Sequence, residues 1–197
     1  MKTRNGYVSN SSSSSFLLAY DDLKQFDCVK KTEGYKLLLS LLERGNASEE
    51  ELLSFMKEHV GDCIYRCADN EWHNQHMAKD NGWLARRYEW SLVEHLRELG
   101  LDESYFPAVK ELENAIGRYV QKFDDYSYGY ELDEFDDMED MLALQIVDSL
   151  MRNHSRFAVM EFSDEYDFGS YLEHEFMPGL MSYSNEKGFV SACVSHH

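Results

Sequence analysis

From Tyr35 to Met151 apolar residues return every three or four positions, the period that lines them along one side of an α-helix. Nothing else in the chain constrains the fold as much. Segments with this rhythm must turn a stripe inward against neighbours, and only two prolines in 197 residues interrupt it. Tyr35 to Leu42 is the first stripe, stopping at Gly45-Asn46. Ser48 followed by Glu51 is a capping box that opens a helix through Leu52, Leu53 and Met56. Trp83, Leu84, Tyr88, Leu92, Leu96 and Leu99 hold one face of a longer helix closed by Gly100. Pro107 suits the first turn of a helix carrying Val109, Leu112, Ile116, Val120 and Phe123 inward. Phe135 to Met151 is the last long helix, with Met138, Leu142, Ile146 and Leu150 as its stripe.

Outside this region the rhythm changes. Asn10 and the serines Ser11 to Ser15 read as a solvated segment, because serine buries little and competes for backbone hydrogen bonds. The apolar run Phe16 to Tyr20 follows at once and has the length of a buried strand, closed by Asp21-Asp22. Phe157 to Phe162 alternates as a strand, and Phe189 to Val194 is a third. Between them Asp167 caps a short helix over Ser170 to Met177, stopped by Pro178-Gly179. The expectation is one α+β domain over 1–197, mostly helical, with a small sheet made of an N-terminal strand and two C-terminal strands. Within it, 1–15 is a serine-rich segment, 33–152 is helical, and 156–197 is a β-α-β part.

Composition narrows the function. Asp and Glu number 37 against 19 Lys and Arg, for a formal charge of −18, which repels phosphates and argues against direct nucleic-acid binding. No apolar run approaches the roughly 18 residues that span a bilayer. Lys2 and Arg4 are followed by serines where a signal peptide would be apolar. Four cysteines without an export signal read as reduced thiols, so a cytoplasmic setting is expected. Phosphate-binding glycine loops and the nucleophile elbow are absent from the sequence. His59, His95 and His154 sit in helical patterns and read as packing or surface residues.

The stretch Arg4-Asn5-Gly6-Tyr7-Val8-Ser9-Asn10, the serines to Ser15, and Phe16 resembles the opening signature of a family of uncharacterised phage and bacterial proteins. Tyr7 stands where that signature has phenylalanine. The terminal Ser195-His196-His197 is similar to the way such chains end. The resemblance implies a phage or mobile-element setting in a bacterial cell, with no activity attached to it.

Three groups of residues carry candidate chemistry. Nine of the 17 residues from Asp124 to Asp140 are acidic and none is basic. As a solvated loop and helix start the segment is unremarkable, since Asp133, Glu134, Asp136 and Asp137 complement a helix dipole. As an ordered array, Asp124, Asp125, Glu131, Asp133, Glu134, Asp136, Asp137, Glu139 and Asp140 imitate a phosphate backbone. Tyr126, Tyr128, Tyr130 and Phe135 supply aromatic anchors. Cys63, Cys67, His73 and His76 are a zinc-type ligand set with unusually tight spacing, for which buried thiols and a polar helix end are the simpler account. Asp164, His174 and His196, with Glu161 near, would hold a divalent ion for hydrolysis if the two late strands pair. The leading expectation is a non-enzymatic, anti-CRISPR or anti-restriction type of protein. It would need no cofactor and would occupy the basic nucleic-acid site of a host defence protein. The alternative is a metal-dependent hydrolase or nuclease at the C-terminal Asp/His cluster.

Overall fold

The computed structural model describes residues 13–44, 46–76, 90–122, 132–163 and 167–196. It is an α+β fold, mostly helical, around a three-stranded antiparallel sheet in the order β2-β1-β3. Strand β1 (Ser13–Tyr20) is central, with β2 (Arg156–Ser163) on one side and β3 (Val190–His196) on the other. Phe16 pairs with Met160 and Cys193, and Ala19 with Phe157 and Val190. The unbroken apolar run has its reason here. A central strand covered on both faces has no polar side, and all five residues from Phe16 to Tyr20 are buried.

Alternation divides the core between the two faces. Leu17 and Ala19, with Phe157, Ala192 and Val194, face a helical layer built from α2 (Glu49–His76), α3 (Leu92–Glu98), α4 (Phe106–Val120) and α5 (Asp136–Asn153). Phe16, Leu18 and Tyr20, with Ala158 and Met160, face a second layer. That layer holds a 3-10 turn (Leu23–Val29), α1 (Tyr35–Arg44) and a C-terminal helical segment. Each fully buried Leu or Phe contributes about 1.5–3 kcal/mol, so both layers are needed to hold β1 dry.

The expected elements are present, with three corrections. The strand begins at Ser13, so the last three serines of the run belong to the sheet. Ser14 can enter because its hydroxyl finds a buried partner there, described below.

The helix expected across Trp83 to Leu99 is not continuous. Trp90 and Ser91 are extended or irregular, and α3 starts at Leu92 with the Ser91 hydroxyl accepting the Glu94 N–H as N-cap. Trp83, Leu84, Tyr88 and Phe123 lie outside the described residues. The stop at Gly100 holds, because its φ of 94° is a conformation that disfavours a side chain.

Pro178-Gly179 does not end the late helix. It runs from α6 (Asp167–Tyr171) through a π-helical turn (Leu172–Phe176) into α7 (Met177–Met181). Pro178 falls in the first turn of α7, directly after the π-helical turn. A short α8 (Ser184–Lys187) then leads through Gly188 into β3.

The Ser48–Glu51 capping box forms as read, with Glu51 N–H donating to Ser48 Oγ and Ser48 N–H to Glu51 Oε2. Among the described residues no helix is long and apolar enough to cross a membrane.

Candidate functional site

The acidic segment enters the described residues at Leu132. Asp133 and Glu134 sit on a 3-10 turn (Asp133–Phe135), and Asp136 and Asp137 on the first turn of α5. Phe135 is buried edge-on to Tyr119, their rings 5.9 Å apart, and pins the turn to α4. Leu142, Ala143, Ile146, Val147 and Leu150 fix α5 to the core behind it. The backbone that carries these carboxylates is therefore held, at the helix end where the backbone dipole favours negative charge.

Asp133, Glu134, Asp136 and Asp137 are exposed. Among the described residues, they form no ion pair with Lys or Arg. The last two acids of the segment behave differently. Asp140 pairs with Lys57 of α2 at 2.7 Å. Glu139 lies across Gly61 of α2, where a Cβ would come within 2.9 Å of its carboxylate oxygen. Burial raises the Glu139 pKa, and repulsion from Asp136 and Asp140 adds to the rise. Asp124, Asp125, Tyr126, Tyr128, Tyr130 and Glu131 lie outside the described residues.

The four residues of the expected zinc set all fall on α2. At a rise of about 1.5 Å per residue, one continuous helix separates Cys63 from His76 by about 20 Å, so they do not converge. His73 engages its own helix at the Asp69 carbonyl, 2.9 Å away. Cys67 lines a polar cleft with Glu71, Trp90 and Glu113.

Cys63 meets different partners. His59, one turn earlier on α2, and His95 of α3 bring their ligand atoms and the Cys63 Sγ within 4.8 Å of one another. His59 Nδ1 lies 2.8 Å from the Cys193 carbonyl of β3, an acceptor that requires the N–H at that nitrogen. Its Nε2 is thereby left as an acceptor, 3.1 Å from His95 Nε2. Phe55 stacks on His59 at 13°, and Trp90 flanks His95 at 5.7 Å. Burial pushes the His59 pKa down to about 4, with His95 beside it lowering it further and the Cys193 carbonyl opposing. Burial also lowers that of His95 and pushes the Cys63 thiol up to about 12.

His59 and His95, read as packing or surface residues, thus form with Cys63 a group of three ligand-type side chains. The His59–Cys63 spacing of four was visible in the sequence, but nothing there says which turn of α2 meets α3.

At the end of the sheet, Ser13 lies opposite Ser163 on one side and His196 on the other, and Ser14 lies opposite Ser195. Ser13 and Ser14 of the serine run and Ser195 and His196 near the other end of the sequence are therefore neighbours in the sheet. The pairing of β2 with β3 that an Asp164–His174–His196 site requires does not occur, because β1 stands between them. Ser163 and His196 are two strand spacings apart, about 10 Å. Glu161 lies opposite Ser15 and so points to the other face of the sheet from Ser14. Asp164 lies outside the described residues.

His174 is half exposed, with its Nε2 3.9 Å from the buried Glu173 carboxylate. Glu173, which the sequence reading passed over, is the residue tied to the sheet: Ser14 Oγ–H donates to its Oε1 at 2.7 Å. Burial drives the adjacent Cys193 thiol up to about 11, with repulsion from Glu173 contributing.

Comparison with known protein families, with curated proteins and with solved structures finds no match to this chain.

Proposed function

We propose that this chain is a non-enzymatic binding protein that offers the acidic start of α5 to the basic, nucleic-acid-binding groove of a partner protein in a bacterial host, in the manner of an anti-CRISPR or anti-restriction inhibitor. The observation that carries this reading is the open, backed array of Asp133, Glu134, Asp136 and Asp137. From Asp133 to Asp137 the backbone advances about 7.5 Å, at about 2 Å per residue in the 3-10 turn and about 1.5 Å in the α-helix. Four charges over that distance leave three intervals of about 2.5 Å, between the roughly 1.7 Å per charge along duplex DNA and the roughly 3.4 Å along one of its strands. Such an array is attracted over distance to a groove evolved for phosphates, and the net charge of −18 extends the attraction. Holding the carboxylates on a packed helix spares the entropy that a loose acidic tail would lose on binding.

The test is capture of basic, nucleic-acid-binding proteins from a bacterial lysate by the immobilised full chain at low salt. Captured protein should elute with salt and with added duplex DNA or RNA. Converting Asp133, Glu134, Asp136 and Asp137 together to their amides should weaken capture by about tenfold or more, about 1.4 kcal/mol. Undiminished capture by the fourfold variant at low salt overturns the reading.

A further inference from the structure

We propose that His59, Cys63 and His95 form a binding site for one divalent ion of the zinc class, joining α2 to α3 and, through His59, to the sheet. Two imidazoles and a thiolate are a zinc-type donor set, and the three are brought together from 36 residues of sequence by helix packing. The distances fit. With Zn–N bonds of about 2.0–2.1 Å, two nitrogens on a tetrahedral ion stand about 3.3 Å apart. The two Nε2 atoms are 3.1 Å apart. The Cys63 Sγ lies within 4.8 Å of a ring nitrogen of each histidine, against about 3.6 Å for a sulfur sharing the ion, so the thiolate would have to draw in on binding.

The surroundings favour ligation over a plain hydrogen bond. Ligand histidines usually give their second N–H to a carbonyl or carboxylate, which aims the free nitrogen at the metal, and the Cys193 carbonyl does this for His59. Binding releases one proton, from the Cys63 thiol to solvent. The His95 proton moves from Nε2 to Nδ1, and the bound ion stabilises the thiolate. The dication and one thiolate leave a charge of +1. Asp62 and Glu98 lie near enough to act on Cys63 and His95, with Arg66 acting in the opposite sense on both. Three protein ligands leave the fourth tetrahedral position to water.

The experiment is titration of the full-length, metal-free chain with cobalt(II) in a reductant that carries no thiol. The expected result is one equivalent of tetrahedral cobalt with a thiolate charge-transfer band, displaced by zinc. Cys63→Ser should abolish that band, His95→Gln should weaken cobalt binding by about tenfold or more, and Cys67→Ser and Cys28→Ser should leave both unchanged. Should the variants fail to fold, the wild-type chain carries the test alone: zinc must shift the imidazole nitrogen resonances of His59 and His95 and leave those of His73 and His174 in place. No tetrahedral spectrum with the wild-type chain, a band that survives Cys63→Ser, or zinc shifts confined to other histidines each overturns the proposal.

Discussion

Burial lowers the pKa of both His59 and His95, and His59, the more deeply buried of the two, gives the clearer expectation for acid. His59 is held neutral in the folded chain, with its pKa lowered to about 4 by burial and by His95, while the unfolded chain protonates it near 6.5. Between these values the unfolded state binds the extra proton, so stability falls as pH drops from about 6.5 to about 4 and is flat above that window. A shift of that size corresponds to about 3 kcal/mol, an order-of-magnitude figure. Denaturant unfolding of chelator-treated protein at pH 7 and pH 4.5 should show this loss. In His59→Phe the pH dependence should shrink, since the aromatic packing on Phe55 survives and the titration does not. An equal pH dependence in the variant would show that the acid sensitivity lies elsewhere. Sequence spacing made Cys63 a candidate ligand but paired it with Cys67, His73 and His76. On one helix, residues four apart share a face, whereas residues ten or 13 apart are separated along the axis.

Between elements, the tie that most merits removal is the one from β1 to the π-helical turn. The turn places Glu173 inward, 3% exposed, where its Oε1 accepts a hydrogen bond from the Ser14 hydroxyl and its second oxygen has no hydrogen-bond partner. Ser14→Ala would leave that carboxylate without its donor in a dry site, a loss of about 1–3 kcal/mol. The expected outcome is a lower denaturation midpoint with an unchanged denaturant slope, and faster exchange of the Leu172–Phe176 amides. A variant as stable as the parent would mean that Glu173 is satisfied from elsewhere. The serine run shows how a local reading fails. Serine's preference for turns describes a chain in water, whereas Ser14 lies between two paired strands with a buried acceptor above it.

Across the whole molecule the charge of −18 acts on folding as well as on binding. Self-repulsion among carboxylates opposes the compact state, and raising salt from about 0.01 M to 0.15 M shortens the screening length from about 30 Å to about 8 Å. Thermal midpoints should therefore rise with salt by a few degrees, on a scale where about 1 kcal/mol is 2–4 °C for a chain of this size. The rise should be smaller in the fourfold amide variant, in which part of the repulsion is gone. A midpoint that falls with salt would place attractive ion pairs, such as Lys57–Asp140, in control of stability instead.

The sequence by itself determined the helical stripes of α1, α4 and α5, the Ser48–Glu51 cap, the stop at Gly100 and the three strands. Each depends on residues within a few positions of one another, where side-chain period and backbone conformation decide the outcome. It also determined that the start of α5 would be acidic. Only the tertiary structure decided that β1 separates β2 from β3, that Glu139 and Asp140 fold back on Gly61 and Lys57, and that Cys63 meets His59 and His95. Those outcomes follow from which helix turn packs against which neighbour, and that choice is settled by burying the whole core at once.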